Sequence, residues 1–355
     1  MSVIKELYIG SYRNIHKQQI TLSDNFNIFI GNNGNGKTNF IESIYYIAHN
    51  KSYKTKNLES IIPHTSKQLS LAIKTTIDTI KLQKTKNKTN IAINSTYSKN
   101  TSNLTKKLPI QIISADRGYI TSATSKIKRQ FLNWGLFHVE PNFVNLYKKY
   151  NKTLIQINKI LLHNEQQSLN IWLKKWVDLT IKINILKKTY IKEHIKLLDN
   201  FKKKSKKLKD FEFELVYGIP KTINQFDAQE LLDFITQQIP NLIKKKYLIY
   251  GPHRSSILFK YKKKPIEIYS RGEQKTFSIV FLLLQVLYLK KKDIKPIILI
   301  DDISSELDDR KVGLILSFLE YLDCQTFITN IYNIKKIPKD SFVFKIKKGV
   351  IVREK

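Results

Sequence analysis

The sequence predicts an α/β fold built around a phosphate-binding loop, with an inserted α-helical lobe. Three observations predict it. A glycine-rich stretch, Gly31 to Thr38, stands between a strand pattern and a helix pattern. A continuous apolar run from Pro296 to Ile300 ends in two aspartates, Asp301 and Asp302. Between them, the interval 121–245 has hardly any glycine and carries helical periodicity.

The elements follow in order. Ile4 to Ile9 and Phe26 to Ile30 are spaced or clustered as strands. Ile41, Ile44 and Ile47 recur at helical spacing and predict a helix over 37–49. Between Leu69 and Thr96 β-branched residues alternate with polar ones around turns such as Lys86-Asn87-Lys88, which predicts antiparallel strands. From about Ser125 to Lys246 apolar residues fall at i, i+3, i+4 and i+7. Several long amphipathic helices are expected there, broken near Pro141, His163-Asn164, Phe211 to Lys221 and Pro240. After Tyr250 short strands return, with Ile257 to Tyr261, a helix over Thr276 to Leu289, and a final pair, Phe342 to Ile346 and Val350 to Val352, around Gly349. The two α/β ends are expected to form one discontinuous lobe, 1–120 with 246–355, leaving 121–245 as the helical insertion.

Composition bounds the function. The 355 residues include 62 Lys+Arg against 29 Asp+Glu, a formal charge of +33. Hydrophobic residues at 42% supply a core and exclude wholesale disorder. One cysteine, Cys324, excludes a disulfide framework and a multi-thiolate metal site. No apolar run reaches the roughly 18 residues that span a bilayer, and no secretory h-region follows Met1, so a cytoplasmic protein without membrane attachment is expected. A basic chain suits nucleic acid, because cations displace the counterions of phosphate. Yet 55 Lys against 7 Arg, and 52 Ile against 6 Ala, is the skew of an AT-rich genome. Charge alone therefore does not name a partner, and the run Lys202 to Lys207 reads as a solvated helix face.

Motifs carry more. Gly31-Asn32-Asn33-Gly34-Asn35-Gly36-Lys37-Thr38 fits G-x-x-x-x-G-K-[ST] in strand–turn–helix context. Its backbone N–H groups cradle a phosphate at a helix N-terminus, Lys37 reaches the β- and γ-phosphates, and Thr38 ligates Mg²⁺. Asp301 emerges from an apolar strand, where it serves Mg²⁺ through water, and Asp302 polarises the attacking water. Ser270-Arg271-Gly272-Glu273 opens a helix and resembles the signature of ABC-type ATPases, whose serine and glycine bind the γ-phosphate held by the other subunit. Ser270 with Glu273 is equally a capping box. Ser304-Ser305-Glu306-Leu307-Asp308 matches the subunit-facing loop after the aspartate strand of those ATPases.

With Ser11-Tyr12-Arg13-Asn14 and Gly251-Pro252-His253-Arg254, these motifs resemble the RecF family of bacterial recombination mediators along nearly the whole chain. Arg129-Gln130-Phe131-Leu132-Asn133, Pro141 and the Leu146-Tyr147 region resemble that family's helical lobe. The resemblance implies an ABC-type ATPase head in two lobes, ATP-dependent homodimerisation, weak DNA-stimulated ATPase activity, and binding to duplex DNA and single-strand/double-strand junctions. It also implies partnership with RecR, with RecO, where these are encoded. ATP held between the loop of one subunit and Ser270 to Gly272 of the other would clamp DNA, and hydrolysis would release it. Asp308 would face the opposite subunit.

The chain departs from the family in three places. Two aspartates usually follow Gly-Pro-His-Arg, whereas here Ser255 and Ser256 do. Ser114-Ala115-Asp116-Arg117 replaces a Ser-Pro-Glu-Asp segment. Phe327-Ile328-Thr329-Asn330 carries no histidine where transporter ABC subunits have a switch residue, Thr329 being the nearest hydrogen-bonding substitute. Arg13 is read either as a phosphate contact or as a surface ion pair, and His253 with Arg254 either as contacts to phosphate or dimer partner or as an ordinary turn. A transporter subunit is disfavoured by about 230 residues between Lys37 and Ser270, which are also far too few for the coiled coil of an SMC-type head. A DNA-binding scaffold with a hydrolysis-deficient ATPase is the non-enzymatic alternative, against which intact Lys37, Thr38 and Asp301 argue.

Overall fold

A computed structural model of the chain describes residues 2–98, 101–114, 119–163, 166–203, 205–304, 307–332, 334 and 337–354. Ala115-Asp116-Arg117, Asn164, Lys204 and Ser305-Glu306, all used above, lie outside the described residues. The chain divides into two compact units, 1–119 with 270–355, and 120–269. The first unit begins with β1 (Ile4–Tyr12), β2 (Ile15–Thr21), β3 (Phe26–Ile30), α1 (Lys37–His49), β4 (Leu69–Thr75), β5 (Thr79–Lys84), β6 (Thr89–Ile93), β7 (Thr96–Tyr97), α2 (Thr101–Lys107) and β8 (Ile110–Ile113). The second holds α3 (Ser125–Val139), α4 (Phe143–His163), α5 (Leu169–Lys202), β9 (Phe211–Val216), α6 (Ala228–Gln237), α7 (Ile239–Lys245), β10 (Ser256–Tyr261) and β11 (Lys264–Pro265). The first unit resumes with α8 (Arg271–Lys290), β12 (Ile297–Ile300), α9 (Asp309–Leu322), β13 (Thr326–Asn330), β14 (Phe342–Lys347) and β15 (Val350–Arg353).

Two sheets share the core of the first unit with α1. One sheet runs β15-β14-β3-β13-β12-β8, with every pairing parallel except the β14–β15 hairpin. All four residues of β12 are buried, as a parallel strand covered on both faces requires. The other sheet, β2-β1-β4-β5-β6-β7, is antiparallel throughout. Leu7, Ile9, Leu71 and Ile73 from the antiparallel sheet share one core with Phe29, Leu299, Phe327 and Phe344 from the parallel sheet and with Phe40, Ile44 and Ile47 of α1. Lys37 and every residue from Phe40 to Ala48 are buried. At about 1.5–3 kcal/mol for each large apolar side chain withdrawn from water, this burial fixes α1, and with it the loop at its start.

The strand β2 went unforeseen, because only Ile15 and Ile20 turn inward while His16, Lys17 and Gln19 are exposed. Its register on β1 makes it a strand.

In the second unit α4, α5 and α6 bury Tyr150, Ile157, Leu173, Trp176 and Leu231. Pro240 falls in the first turn of α7, where a missing N–H costs no hydrogen bond, so it opens a helix. The helix α5 stops at Lys202, so the lysine run leaves the helix instead of continuing along its face. β9 pairs antiparallel with β10, Phe213 opposite Phe259. That pairing draws 246–269 into the second unit, and the division falls after Tyr269 rather than after Lys245. Among the described residues no helix is long and apolar enough to cross a membrane.

Candidate nucleotide site

The glycine loop leaves β3 at Gly31 and enters α1 through Gly36, whose φ of 104° lies in the left-handed region. No side chain caps α1, so the N–H groups of its first turn are available to an anion. Asn32, Asn33 and Gly34 are exposed and form an open mouth. The loop is held from outside. A Cβ on Gly31 would stand 2.3 Å from the Ile346 carbonyl oxygen, and one on Gly36 would stand 2.9 Å from the Asn14 side chain. Asn39 Nδ2 donates to Asn14 Oδ1 at 2.8 Å, and the Gly349 N–H donates to the Asn35 carbonyl at 2.9 Å. The β1–β2 turn and the β14–β15 hairpin thus both brace the loop.

Lys37 Nζ donates to the carbonyls of Gly31 (2.6 Å) and Asn32 (3.1 Å). Burial pulls its pKa down, opposed by the charges of Asp302 and Asp301. Thr38 Oγ1 donates to Asp301 Oδ1 at 3.1 Å, and Thr329 Oγ1 donates to the same oxygen at 2.7 Å. Thr329 also accepts the Asp302 N–H at 2.8 Å, so this buried hydroxyl orients both aspartates. Asp302 sits at φ 55°, and its Oδ1 is buried with no hydrogen-bond partner among the described residues. Lys275 Nζ, on α8, donates to the Asp302 carbonyl at 3.1 Å.

This arrangement brings Lys37, Thr38, Asp301 and Asp302 into one electrostatic neighbourhood. A hydroxyl and a carboxylate are hard oxygen donors that suit Mg²⁺. A buried, unengaged carboxylate oxygen is an acceptor waiting for a proton donor such as water.

Ser270, Arg271 and Gly272 stand at the start of α8, Ser270 and Arg271 exposed. The capping box is formed: Glu273 N–H donates to Ser270 Oγ at 3.3 Å and Ser270 N–H to Glu273 Oε2 at 3.2 Å. Ser270 Oγ also donates to Glu273 Oε2 at 2.7 Å. Asp308 caps α9 by accepting the Lys311 N–H at 2.8 Å.

Arg13 is the ion pair of its second reading, but with a buried partner and not at the surface. Its guanidinium grips Glu42, itself 0% exposed, through Nε to Oε2 at 2.6 Å and Nη2 to Oε1 at 3.1 Å. Ser52 Oγ donates to the same carboxylate, so the pair is built into the first unit. His253 is likewise structural. The Trp176 indole donates to the Tyr150 hydroxyl, that hydroxyl bonds Nδ1 at 2.7 Å, and Nε2 lies 3.0 Å from the Leu248 carbonyl. The order of donors puts the proton on Nε2, and burial pushes the ring pKa down to about 4. Sequence reasoning missed Glu42, Asn39 and Lys275, whose partners lie far along the chain.

The model of the RecF/RecN/SMC N-terminal domain family matches residues 3–343. The chain is 29% identical to the DNA replication and repair protein RecF of Hydrogenovibrio crunogenus over 93% of this chain and 92% of that protein. It is 28% identical to RecF of Pseudoalteromonas translucida over 98% and 99%. Its fold is similar to a solved structure of the recombination mediator protein RecF-ATP in the RecFOR pathway, with a TM-score of 0.84, 21% identity and coverage of 100% and 98%. An Smc head domain from Pyrococcus furiosus is similar at a TM-score of 0.54, 15% identity and coverage of 99% and 96%.

Proposed function

This chain belongs to the RecF/RecN/SMC N-terminal domain family, and on that premise we propose that it is an ATP-dependent DNA-binding protein of replication and recombinational repair. The observation that carries the reading is the buried Oδ1 of Asp302, without a hydrogen-bond partner among the described residues, beside Lys37 and the Thr38–Asp301 pair. Such an acceptor costs stability, and a hydrolytic water gives it a use.

In this reading the first unit is the ATPase lobe and the second its arm. ATP phosphates replace the Gly31 and Asn32 carbonyls on Lys37 and meet the uncapped first turn of α1. Gly31 to Gly36 supply the cradle. Thr38 and Asp301 would hold Mg²⁺, which when bound neutralises phosphate charge. Asp302 Oδ1 accepts a hydrogen bond from the attacking water and draws off its proton. Aspartate is one methylene shorter than the glutamate usual in transporter subunits, so turnover is slow and serves as a timer. Ser270, Arg271 and Gly272 bind the γ-phosphate held by a second copy, and Asp308 faces that copy. The ATP-bound homodimer closes on duplex DNA or on single-strand/double-strand junctions, and hydrolysis, stimulated by DNA, opens it. RecR, with RecO, is the partner where encoded, and the cytoplasm is the compartment.

Duplex binding measured with ATP, ADP and no nucleotide across a salt series tests this. Tight binding only with ATP is expected. Lys37→Met should abolish ATP-dependent dimers and Asp302→Asn should accumulate them. A steep salt slope with no nucleotide dependence, or equal dimerisation by both variants, overturns the reading.

A further inference from the structure

The second unit carries a wide, shallow surface depression of about 410 Å³ that the nucleotide chemistry does not use, lined by Ile219, Pro220, Tyr247, Ile249, Tyr250 and Arg254. We propose that this depression takes an unstacked nucleobase of single-stranded nucleic acid, with Tyr247 as the stacking face and Arg254 as the contact to the adjoining phosphate. The inference rests on the reading that the protein binds nucleic acid, and needs neither ATP nor a dimer.

The frame is preformed. The Gly251 N–H donates to the Gly218 carbonyl at 2.8 Å, and a Cβ on Gly218 would stand 2.5 Å from the Gly251 oxygen, so two backbone segments meet where no side chain fits. Gly218 at φ 76° and Gly251 at φ 115° both need the left-handed region. The Arg254 N–H donates to the Gly251 carbonyl at 2.8 Å, which aims the arginine from a tight turn. Tyr250 is pinned edge-on to Phe234 and hydrogen-bonded to Gln238. Tyr247 is different: the residue is 43% exposed, with the Arg254 guanidinium over one face of its ring, 5.6 Å from the centroid. An exposed aromatic face beside an arginine fork is how a base and its phosphate are held together.

Charge selects the occupant. Arg254 makes no ion pair among the described residues; it bears on Arg129, Arg129 on Lys187, and all three on His253, with Tyr147 opposing them at Arg129. Lys244, Lys245 and Lys246 are exposed and directly precede Tyr247. Lys246 at φ 63° ends α7 and turns the chain into the wall of the depression. A row of cations leading to an aromatic depression suits a polyanion with flat bases better than a single carboxylate of a peptide.

The test uses the full chain without ATP and a single-stranded oligonucleotide carrying 2-aminopurine. Binding should quench the fluorophore. Tyr247→Ala and Arg254→Ala should lose the quench and weaken single-strand affinity by roughly tenfold, while Tyr247→Phe keeps both. Duplex affinity, measured separately with ATP, should not change, and Lys37→Met should quench as the parent does, so that failure of the ATP-gated clamp and failure of this site are distinguishable. Equal quenching and affinity in Tyr247→Ala overturns the inference. So does a Tyr247-dependent affinity for an acidic tyrosine-containing peptide that the oligonucleotide does not compete away.

Discussion

Thr38 and Asp301 are 263 residues apart in the chain and 3.1 Å apart at their oxygens. The contact exists because β3, which ends in the glycine loop, and β12, which ends in the aspartates, flank β13 in one parallel sheet. β13 contributes Thr329 to the same carboxylate oxygen, so three strand ends converge on one oxygen. A parallel sheet places strand C-termini along one edge, which is where such folds gather ligand chemistry.

Thr329→Val isolates that convergence. The substitution keeps the shape and leaves the Asp302 N–H without its acceptor in a buried place. Unfolding free energy should fall by about 1–3 kcal/mol in chemical denaturation. ATP turnover should fall further than that loss explains, with ATP affinity little changed. Unaltered single-turnover hydrolysis would show that Thr329 orients nothing.

Arg13→Ala separates a structural ion pair from a phosphate contact. It strands Glu42, which is fully buried, at a cost of about 3–5 kcal/mol. Adding Glu42→Gln should recover part of the loss. ATP affinity per folded molecule should match the parent, and a specific loss of affinity would return Arg13 to the nucleotide.

Gly349→Ala probes the brace on the loop. Gly349 has φ 81°, and a Cβ there would stand 2.0 Å from the Asn14 carbonyl oxygen. The hairpin must shift, and with it the Gly349 bond to Asn35. Nucleotide binding by calorimetry should weaken at least tenfold while the circular dichroism of the fold persists. Parent-like affinity would mean that the loop holds its shape alone.

How much of this was legible follows from where the information sits. Helix α1 and its loop were readable to the residue, since the isoleucine spacing, the glycines and Lys37 are all local. β12 was readable because burial on both faces leaves a continuous apolar run. β9 was not, because its partners on β10 lie 40 (Val216–Ser256) to 50 (Phe211–Tyr261) positions on, and nothing local announces the pairing. Nothing local marks Glu42 as the partner of Arg13 or Lys275 as the donor to the Asp302 carbonyl, because in each case the partner lies outside the helix. Asp302 was readable as an acid, but its unengaged oxygen depends on what the fold withholds from it.

Lys187 gives the last prediction, through pH. It is 0% exposed and donates to the Pro252 carbonyl at 3.0 Å and to Ser255 Oγ at 2.8 Å, both neutral. The Tyr147 ring lies 5.9 Å away, and Arg129, which donates to the Ser255 carbonyl, adds like charge. Burial, and then Arg129, pull its pKa from 10.5 down to about 7. The unfolded chain therefore binds more protons than the folded one between pH 7 and 10.5, and stability rises with pH through that window. His253, held at about 4, titrates below it and does not confound it. Ser255→Asp places a carboxylate against Lys187 and Arg129. It should raise the unfolding free energy at pH 7 by an amount of order a few kcal/mol, seen as a higher thermal midpoint, and flatten the rise between pH 7 and 9. Lys187→Met should also flatten the rise. A parent that shows no rise, or a Ser255→Asp variant less stable than the parent at pH 7, would mean that the buried amine is already charged and solvated.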